Sequence, residues 1–429
     1  MTTGTFGRRG LLRIGGGLAA AAALPGALTA CGNGSGSGSG SGKLRVVGVA
    51  DQKAPLDAMT AAYTKQHKTA FSTTFAPTDQ VTTQVRTQLA GGNAPDVHVV
   101  YPGNGNSMAM VQLAKAGLLA DLSGQSLSKE IPAALNSAFQ YEKKTYLYSA
   151  GSTVIGAVYN KKVFADAGVE PPKTWAELLE VCGRLKARGV APIALGAQTP
   201  WVTQLITYAL VPSTVYAKDP AFDDKMAAGQ ATFAESGWAD AMEMYLELLG
   251  KGYFNDNPNG TTFEQQVSMV ATGKAAMAVQ VSAVLGAFRE GSKTPDDIGM
   301  FPFPGGDNPQ ELWLPAGVVV GLGVSARSKN AKDAMAFVEW LGRQENINQW
   351  CEAVAAIPVR RDASSKIDPE LESFLPEIDA DRAVPFMDQR WPNAEVQPVH
   401  FAAVQDLLAK KTDVKGALGR MDEAYRKES

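Results

Sequence analysis

The sequence predicts an α/β protein with two domains. Three observations carry the prediction. From Leu44 to Leu122, apolar β-branched runs alternate with helical patterns in β-α-β-α-β order. From Gly151 to Leu195 a second unit reads β-α-α-β. The 429 residues are enough for two hydrophobic cores. Alternation of this kind favours parallel sheets with helices on their faces.

The first thirty residues read as an export signal. Arg8-Arg9-Gly10-Leu11-Leu12-Arg13 resembles a twin-arginine motif, and Ile14 to Ala27 is an Ala/Gly/Leu stretch. That stretch is too short and too glycine-rich to span a membrane. Leu28-Thr29-Ala30-Cys31 resembles a bacterial lipobox, which implies cleavage before Cys31 and lipid on its sulfur and amine. Residues 31–42 are then the lipidated cysteine and a Gly/Ser tether. Flexible-chain statistics give the tether a span of roughly 17–20 Å. The fold is expected to begin at Lys43.

Leu44 to Val49 reads as the first strand, followed by the loop Asp51-Gln52-Lys53 and a helix from Leu56 to His67. Phe71 to Phe75 is the second strand, Val81 to Ala90 a helix, and Val97 to Tyr101 the third strand. The loop Gly103 to Ser107 leads to a helix from Met108 to Ala116, which Gly117 stops. In the second unit, Val154 to Tyr159 is apolar enough for a buried strand. Lys161 to Ala167 is a short helix ended by Gly168. Thr174 with Glu177 three residues on has capping-box spacing. Trp175, Leu178, Leu179, Cys182 and Leu185 then mark the inner face of a helix. Pro192 to Leu195 returns as a strand. Further helices are expected over Trp238–Leu249, Phe263–Thr272, Ser328–Leu341, His400–Leu408 and Val414–Tyr425. A turn and strand cover Gly273–Gln280, Ile298–Pro304 is a crossing, and Gly317–Val324 reads as one apolar strand.

The wording of several segments is more specific than their secondary structure. Tyr159-Asn160-Lys161, Ala167-Gly168, Pro172-Lys173-Thr174-Trp175 and Gly189-Val190-Ala191-Pro192-Ile193 stand in one order and spacing. Asn93-Ala94-Pro95-Asp96-Val97, Ala116 to Leu122, Gly273-Lys274-Ala275-Ala276-Met277, Ser328-Lys329-Asn330 and Ile357-Pro358 complete the pattern. Together they resemble the extracellular solute-binding proteins of sugar-importing ABC transporters, the group that includes maltose-binding protein. The resemblance implies a type II periplasmic-binding-protein fold, two α/β lobes joined by a hinge around a cleft. It places lobe one at 43–150 plus 304–342 and lobe two at 151–303 plus 343–429. Crossings would fall near Ser149–Ser152, Met300–Phe303 and Gly342–Arg343. It also implies a carbohydrate ligand, a membrane permease as partner, no cofactor, no catalysis and a monomer.

Ligands in open α/β sheets bind beyond the carboxyl ends of strands. Here those places are short polar loops with a few aromatics. Aromatic rings cover the C–H faces of a sugar, while carboxylates, amides and lysine meet its hydroxyls. The family has an aromatic just past the Pro192–Gly196 strand that stacks on sugar, so Trp201 is the first candidate; a core tryptophan at a helix start is the alternative. Tyr101, Asp51, Gln52, Lys53 and Gln80 follow from the other loop ends. Gln280 stands where relatives often have Asn before Gly-Ser-Trp. The usual tryptophan is replaced by Ala283, so Trp313, Trp391 or Glu395 is expected to substitute.

Charge and cysteine narrow the classes. Formal net charge is −3, and without the first thirty residues 37 basic face 43 acidic residues. That balance argues against nucleic acid and anionic lipid as partners. Cys182 and Cys351 are expected as buried free thiols, with a disulfide between them the alternative. No metal-ligand spacing, P-loop or GxSxG motif occurs. A glycoside hydrolase would need two carboxylates across a scissile bond, and no motif pairs Asp51, Asp79 or Glu395. A binder of polyamine, phosphate or iron remains the other reading, although the tyrosine cluster that iron would need is not evident.

Overall fold

The computed structural model describes residues 42–131 and 135–427. The segments read from sequence as an export signal, a lipidated Cys31 and a tether through Ser41 lie outside the described residues. Among the described residues no helix is long and apolar enough to cross a membrane.

The first sheet has the order Gly321–Val324, Val97–Val100, Leu44–Val49, Phe71–Ala76. Leu44–Val49 pairs in parallel with both neighbours, while Gly321–Val324 joins antiparallel at the edge. The strand alternates its faces. Leu44 and Val46 pack with Leu56, Met59 and Tyr63 of the helix Lys53–His67. Val47 and Val49 pack with Val81, Val85 and Leu89 of the helix Thr78–Ala90. Both faces are therefore covered, as a parallel sheet requires.

The second sheet is built around the long strand Gly151–Asn160. Ala275–Val281 and Ile298–Phe301 pair with it antiparallel, as do Leu314–Gly317 and Ile357–Pro358 nearer its start. Gly156 has to be glycine, because a Cβ there would sit 2.5 Å from the Phe301 carbonyl oxygen and 2.6 Å from the Phe374 ring. The capping box at Thr174 forms: the Glu177 N–H donates to Thr174 Oγ1 at 3.1 Å, and Glu177 Oε2 accepts from the Thr174 N–H at 3.3 Å. Thr262 and Gln265 form a second box that starts the helix Phe263–Ala271.

The chain crosses between the sheets at three places: Ser149–Gly151, Val318–Val320 and 354–356. The run Gly317–Val324, expected as one strand, is two. Leu314–Gly317 belongs to the second sheet and Gly321–Val324 to the first. Both halves are buried, so their composition hides the break. The crossing expected near Met300–Phe303 falls instead inside a strand paired with Ala157–Asn160. The one expected at Gly342–Arg343 falls between two helices, Ala331–Leu341 and Gln344–Ala353. Phe337 and Trp340 of one helix share the first sheet's core with Ile347 and Trp350 of the other. Asp51-Gln52-Lys53, expected as a loop, is a helical turn running into Lys53–His67. The helix before the C-terminal one starts at Val396, with Pro398 in its first turn, where no N–H is needed.

An aromatic cluster closes the core of the second body. Trp391 is 2% exposed and lies 6.0–6.3 Å, ring to ring, from Tyr208, Phe233, Trp238 and His400. His400 lies flat against Tyr208 at 5.7 Å. Cys182 and Cys351 are free, buried thiols in different cores, and burial pushes Cys351 up to about 12.

Two predictions follow from the buried groups. Trp391→Ala empties the centre of the cluster and should destabilise the protein by about 3–5 kcal/mol in denaturant titrations; a loss below about 1 kcal/mol would contradict the packing. Burial lowers His98 to about 4 and His400 to about 3. Both are neutral in the fold and protonate near 6.5 once unfolded. The unfolded chain then binds more protons, so stability falls as pH drops below about 6.5, by about 1.4 kcal/mol per pH unit for each histidine. Asp388, pushed up to about 6 by burial, opposes this from about 6 down to its unfolded value. Unfolding free energies at pH 7, 5.5 and 4.5 should therefore decline by about one histidine's worth; a rise would contradict the assignment.

Candidate functional site

A cavity of about 1360 Å3, its open mouth included, lies between the two sheets. Its first wall is made by loop ends of the first sheet. Val49, Asp51 and Gln52 follow one strand; Thr78, Asp79 and Thr82 begin the next helix; Tyr101 and Asn106 follow Val97–Val100. The second wall carries Thr153 and Ile155 of the long strand, then Trp201, Gln204 and Tyr208. Ala283, Phe386, Asp388, Gln389 and Gln397 complete it. Ser149, Val319, Val320 and Val354, which belong to the crossings, also line it. The cavity thus joins both bodies and the segments that connect them.

Each wall has aromatic and polar groups in reach of one another. Trp201 is half-buried and packs against Phe263, with ring centroids 5.0 Å apart. The Tyr101 hydroxyl lies 3.2 Å from Thr82 Oγ1, and burial pushes that phenol up to about 12, so it stays protonated and can donate. Burial and the charge of Glu264 raise the Asp51 carboxyl, and burial raises Asp79. The Tyr208 side chain is 1% exposed, and its hydroxyl faces the Asp388 carboxyl and Gln397. Gln389 donates through Nε2 to the Val318 carbonyl at 2.8 Å, which fixes it beside a crossing, while its Oε1 is unpartnered.

The walls also touch directly. The Asn104 N–H donates to the Gln389 carbonyl at 3.3 Å, and Asn104 Nδ2 donates to the Pro392 carbonyl at 2.5 Å. Asn106 Nδ2 donates to Gln397 Oε1 at 2.9 Å. A Cβ at Gly103 would overlap the Gln389 carbonyl, and one at Gly105 the Asp388 carbonyl. Backbone approach this close needs glycine.

Four of the sequence-predicted residues, Asp51, Gln52, Tyr101 and Trp201, meet at the cavity. Six lie elsewhere. Lys53 turns back to Asp57 at 2.5 Å and sits over the Phe75 ring. Gln80 is exposed on the outer helix face. Gln280 is buried and donates to Gln266 Oε1 at 2.7 Å, because strand alternation points it into the core while Val281 faces the cavity. Trp313 is held by backbone bonds to Ser213 on the second core. Trp391 fills the aromatic cluster, and Glu395 is exposed, 4.0 Å from Lys427. Sequence reasoning missed Tyr208, Phe386, Asp388 and Gln397. Asp388 stands three residues before Trp391, in the stretch already suspected. Tyr208 sits in a helix buried at every position, where nothing in its pattern separates it from core.

This geometry has counterparts. The family described as bacterial extracellular solute-binding protein matches residues 49–347. A multiple sugar-binding protein of Streptococcus mutans is 24% identical over 289 residues, 66% of this chain and 67% of its own. An uncharacterised ABC transporter extracellular-binding protein of Pyrococcus horikoshii is 24% identical over 354 residues, 79% of this chain and 76% of its own. Among solved structures, a chitin oligosaccharide binding protein superposes with a TM-score of 0.76 at 21% identity, over 89% of this chain and 98% of its own. A raffinose complex of a binding protein reaches 0.72 at 19% identity with the same coverages. The architecture is that of the periplasmic solute-binding proteins, and the chain belongs to the bacterial extracellular solute-binding protein family.

Proposed function

We propose that this protein captures a carbohydrate, an oligosaccharide, in the cleft between two lobes and delivers it to an ABC permease. The observation that carries the reading is the cavity itself. It is shared by two bodies, floored by their three connections, and lined by Trp201 and Tyr101 among amides, hydroxyls and carboxylates. Names of relatives support it, since they include a multiple sugar-binding protein and a raffinose complex. In this reading lobe one is residues 43–150 with 318–354, and lobe two is 151–317 with 355–427. The ligand stabilises the closed state because it touches both walls at once, a difference in contact that an open cleft lacks. Trp201 covers a sugar face, and Gln204, Gln397 and Asp51 meet the hydroxyl rim. The protein binds and does not catalyse. It works as a monomer on the outer face of the cell membrane, held by lipid on Cys31 and given reach by the Gly/Ser tether.

Trp201→Ala should weaken saccharide binding at least tenfold in calorimetry, about 1.4 kcal/mol, with little change in melting; unchanged affinity would remove Trp201 from the site. Gly105→Ala adds a methyl where the walls meet, at a position whose backbone tolerates it. It should enlarge the radius of gyration in small-angle scattering and weaken saccharide binding. If radius and affinity both stay as in the parent, the contact does not govern closure.

A further inference from the structure

We propose that the preferred ligand is an amine-bearing, positively charged saccharide rather than a neutral or acidic one, an inference that rests on the carbohydrate reading above. Asp51, Asp79 and Asp388 line the cavity, two from one wall and one from the other. Among the described residues none of the three is in an ion pair, and the described residues lining the cavity include no Lys, Arg or His. Glu264 adds a fourth negative charge close enough to act on Asp51.

The basic residues next in sequence are turned away. Lys53 follows Gln52 but lies 2.5 Å from Asp57 Oδ2 and 5.4 Å from the centre of the Phe75 ring. Arg390 follows Gln389 but pairs with Asp223 Oδ2 at 2.8 Å. Each wall could have supplied a counter-charge to the cleft and uses it elsewhere.

The deep end of the cavity holds a second, independent sign of a missing polar partner. Gln389, which follows Asp388 and lines the cavity, is 7% exposed, and among the described residues its Oε1 has no hydrogen-bond partner. A buried polar group without a partner is costly, and this one borders the space a ligand fills.

Closing the cleft concentrates carboxylates of like sign in a less solvated space. Low-dielectric walls of one sign focus the field. A neutral sugar leaves that repulsion in place and removes the water that screened it. An ammonium group offsets it, and its three N–H donors suit carboxylate and hydroxyl acceptors. An acidic sugar would add to the repulsion. Carboxylates alone could serve hydroxyls, but the absence of any lining cation is not needed for that task.

The test is calorimetry on the full chain at pH 6.5 and low salt with three β-1,4-linked disaccharides: cellobiose, N,N'-diacetylchitobiose and its deacetylated diamine. Spermidine is the non-saccharide amine. The diamine should bind at least tenfold tighter than either neutral analogue. Its advantage should shrink as salt shortens the Debye length from about 30 Å to about 8 Å, and Asp388→Asn should narrow it further. If a neutral disaccharide binds as well as the diamine, the charge inference falls while the carbohydrate reading stands. If spermidine binds and no saccharide does, the carbohydrate reading falls and the preference for a cation survives. Silence from both amine probes overturns the inference.

Discussion

The strand Gly151–Asn160 is the constraint on which the second body and the cleft depend. Its backbone pairs with four other strands, and eight of its ten residues are buried. Antiparallel partners on both edges satisfy its N–H and C=O groups, so it cannot shift register without breaking two ladders at once. Its first residues are also a crossing from the first sheet. The same strand therefore fixes the floor of the cavity, through Gly151, Thr153 and Ile155, and the distance between the walls. Gly156 marks how tightly this is built, since Phe301 and Phe374 leave no space for a methyl group.

Two separate cores follow from that arrangement. The first sheet is covered on both faces by helices from its own crossover segments, and the second by a larger apolar set that ends in the Trp391 cluster. Between them the contacts are mostly polar or through glycine backbone: Gly103, Asn104, Gly105 and Asn106 against residues 388–397 on one side, and Arg360, Asp362, Ser364 and Ser365 against Glu130, Gly342, Gln344 and Asn348 on the other. Each body buries its own apolar core while the contacts between them are largely polar, which is the balance expected where domains move against each other. Function then lives in the gap, where the elements of neither core need to reach.

Much of the fold was legible because its local signals agree with one another. The Thr174 capping box, the Gly168 helix end and the apolar run of Leu44–Val49 each name one structure. The crossings were less legible. Val318–Val320 interrupts an apolar run whose two halves are buried in different sheets, and burial alone cannot say in which. The site followed the same division. Asp51, Tyr101 and Trp201 sit at strand ends, where topology aims residues at the cleft. Gln280 also sits at a strand end, yet a one-residue step in the pleat sends it into the core and gives Val281 to the cavity. Trp391 looked like a binding ring because it stands in a loop ahead of the C-terminal helices and could replace the missing tryptophan, and only the ring packing with Tyr208, Phe233 and Trp238 shows it as core. Tyr208 was the reverse case, a cleft residue dressed as core.

The account stands on one claim, that the space between the two sheets takes a carbohydrate. The direct measurement is a thermal-shift screen of mono- and oligosaccharides against the full chain, with amino acids and ferric iron as controls. A saccharide at 100 times its dissociation constant adds about 2.7 kcal/mol to stability, enough for a clear rise in melting temperature. The account predicts that rise with an oligosaccharide class and none with the controls. No shift with any saccharide, together with a shift for a control, would contradict it while leaving the two-bodied fold intact.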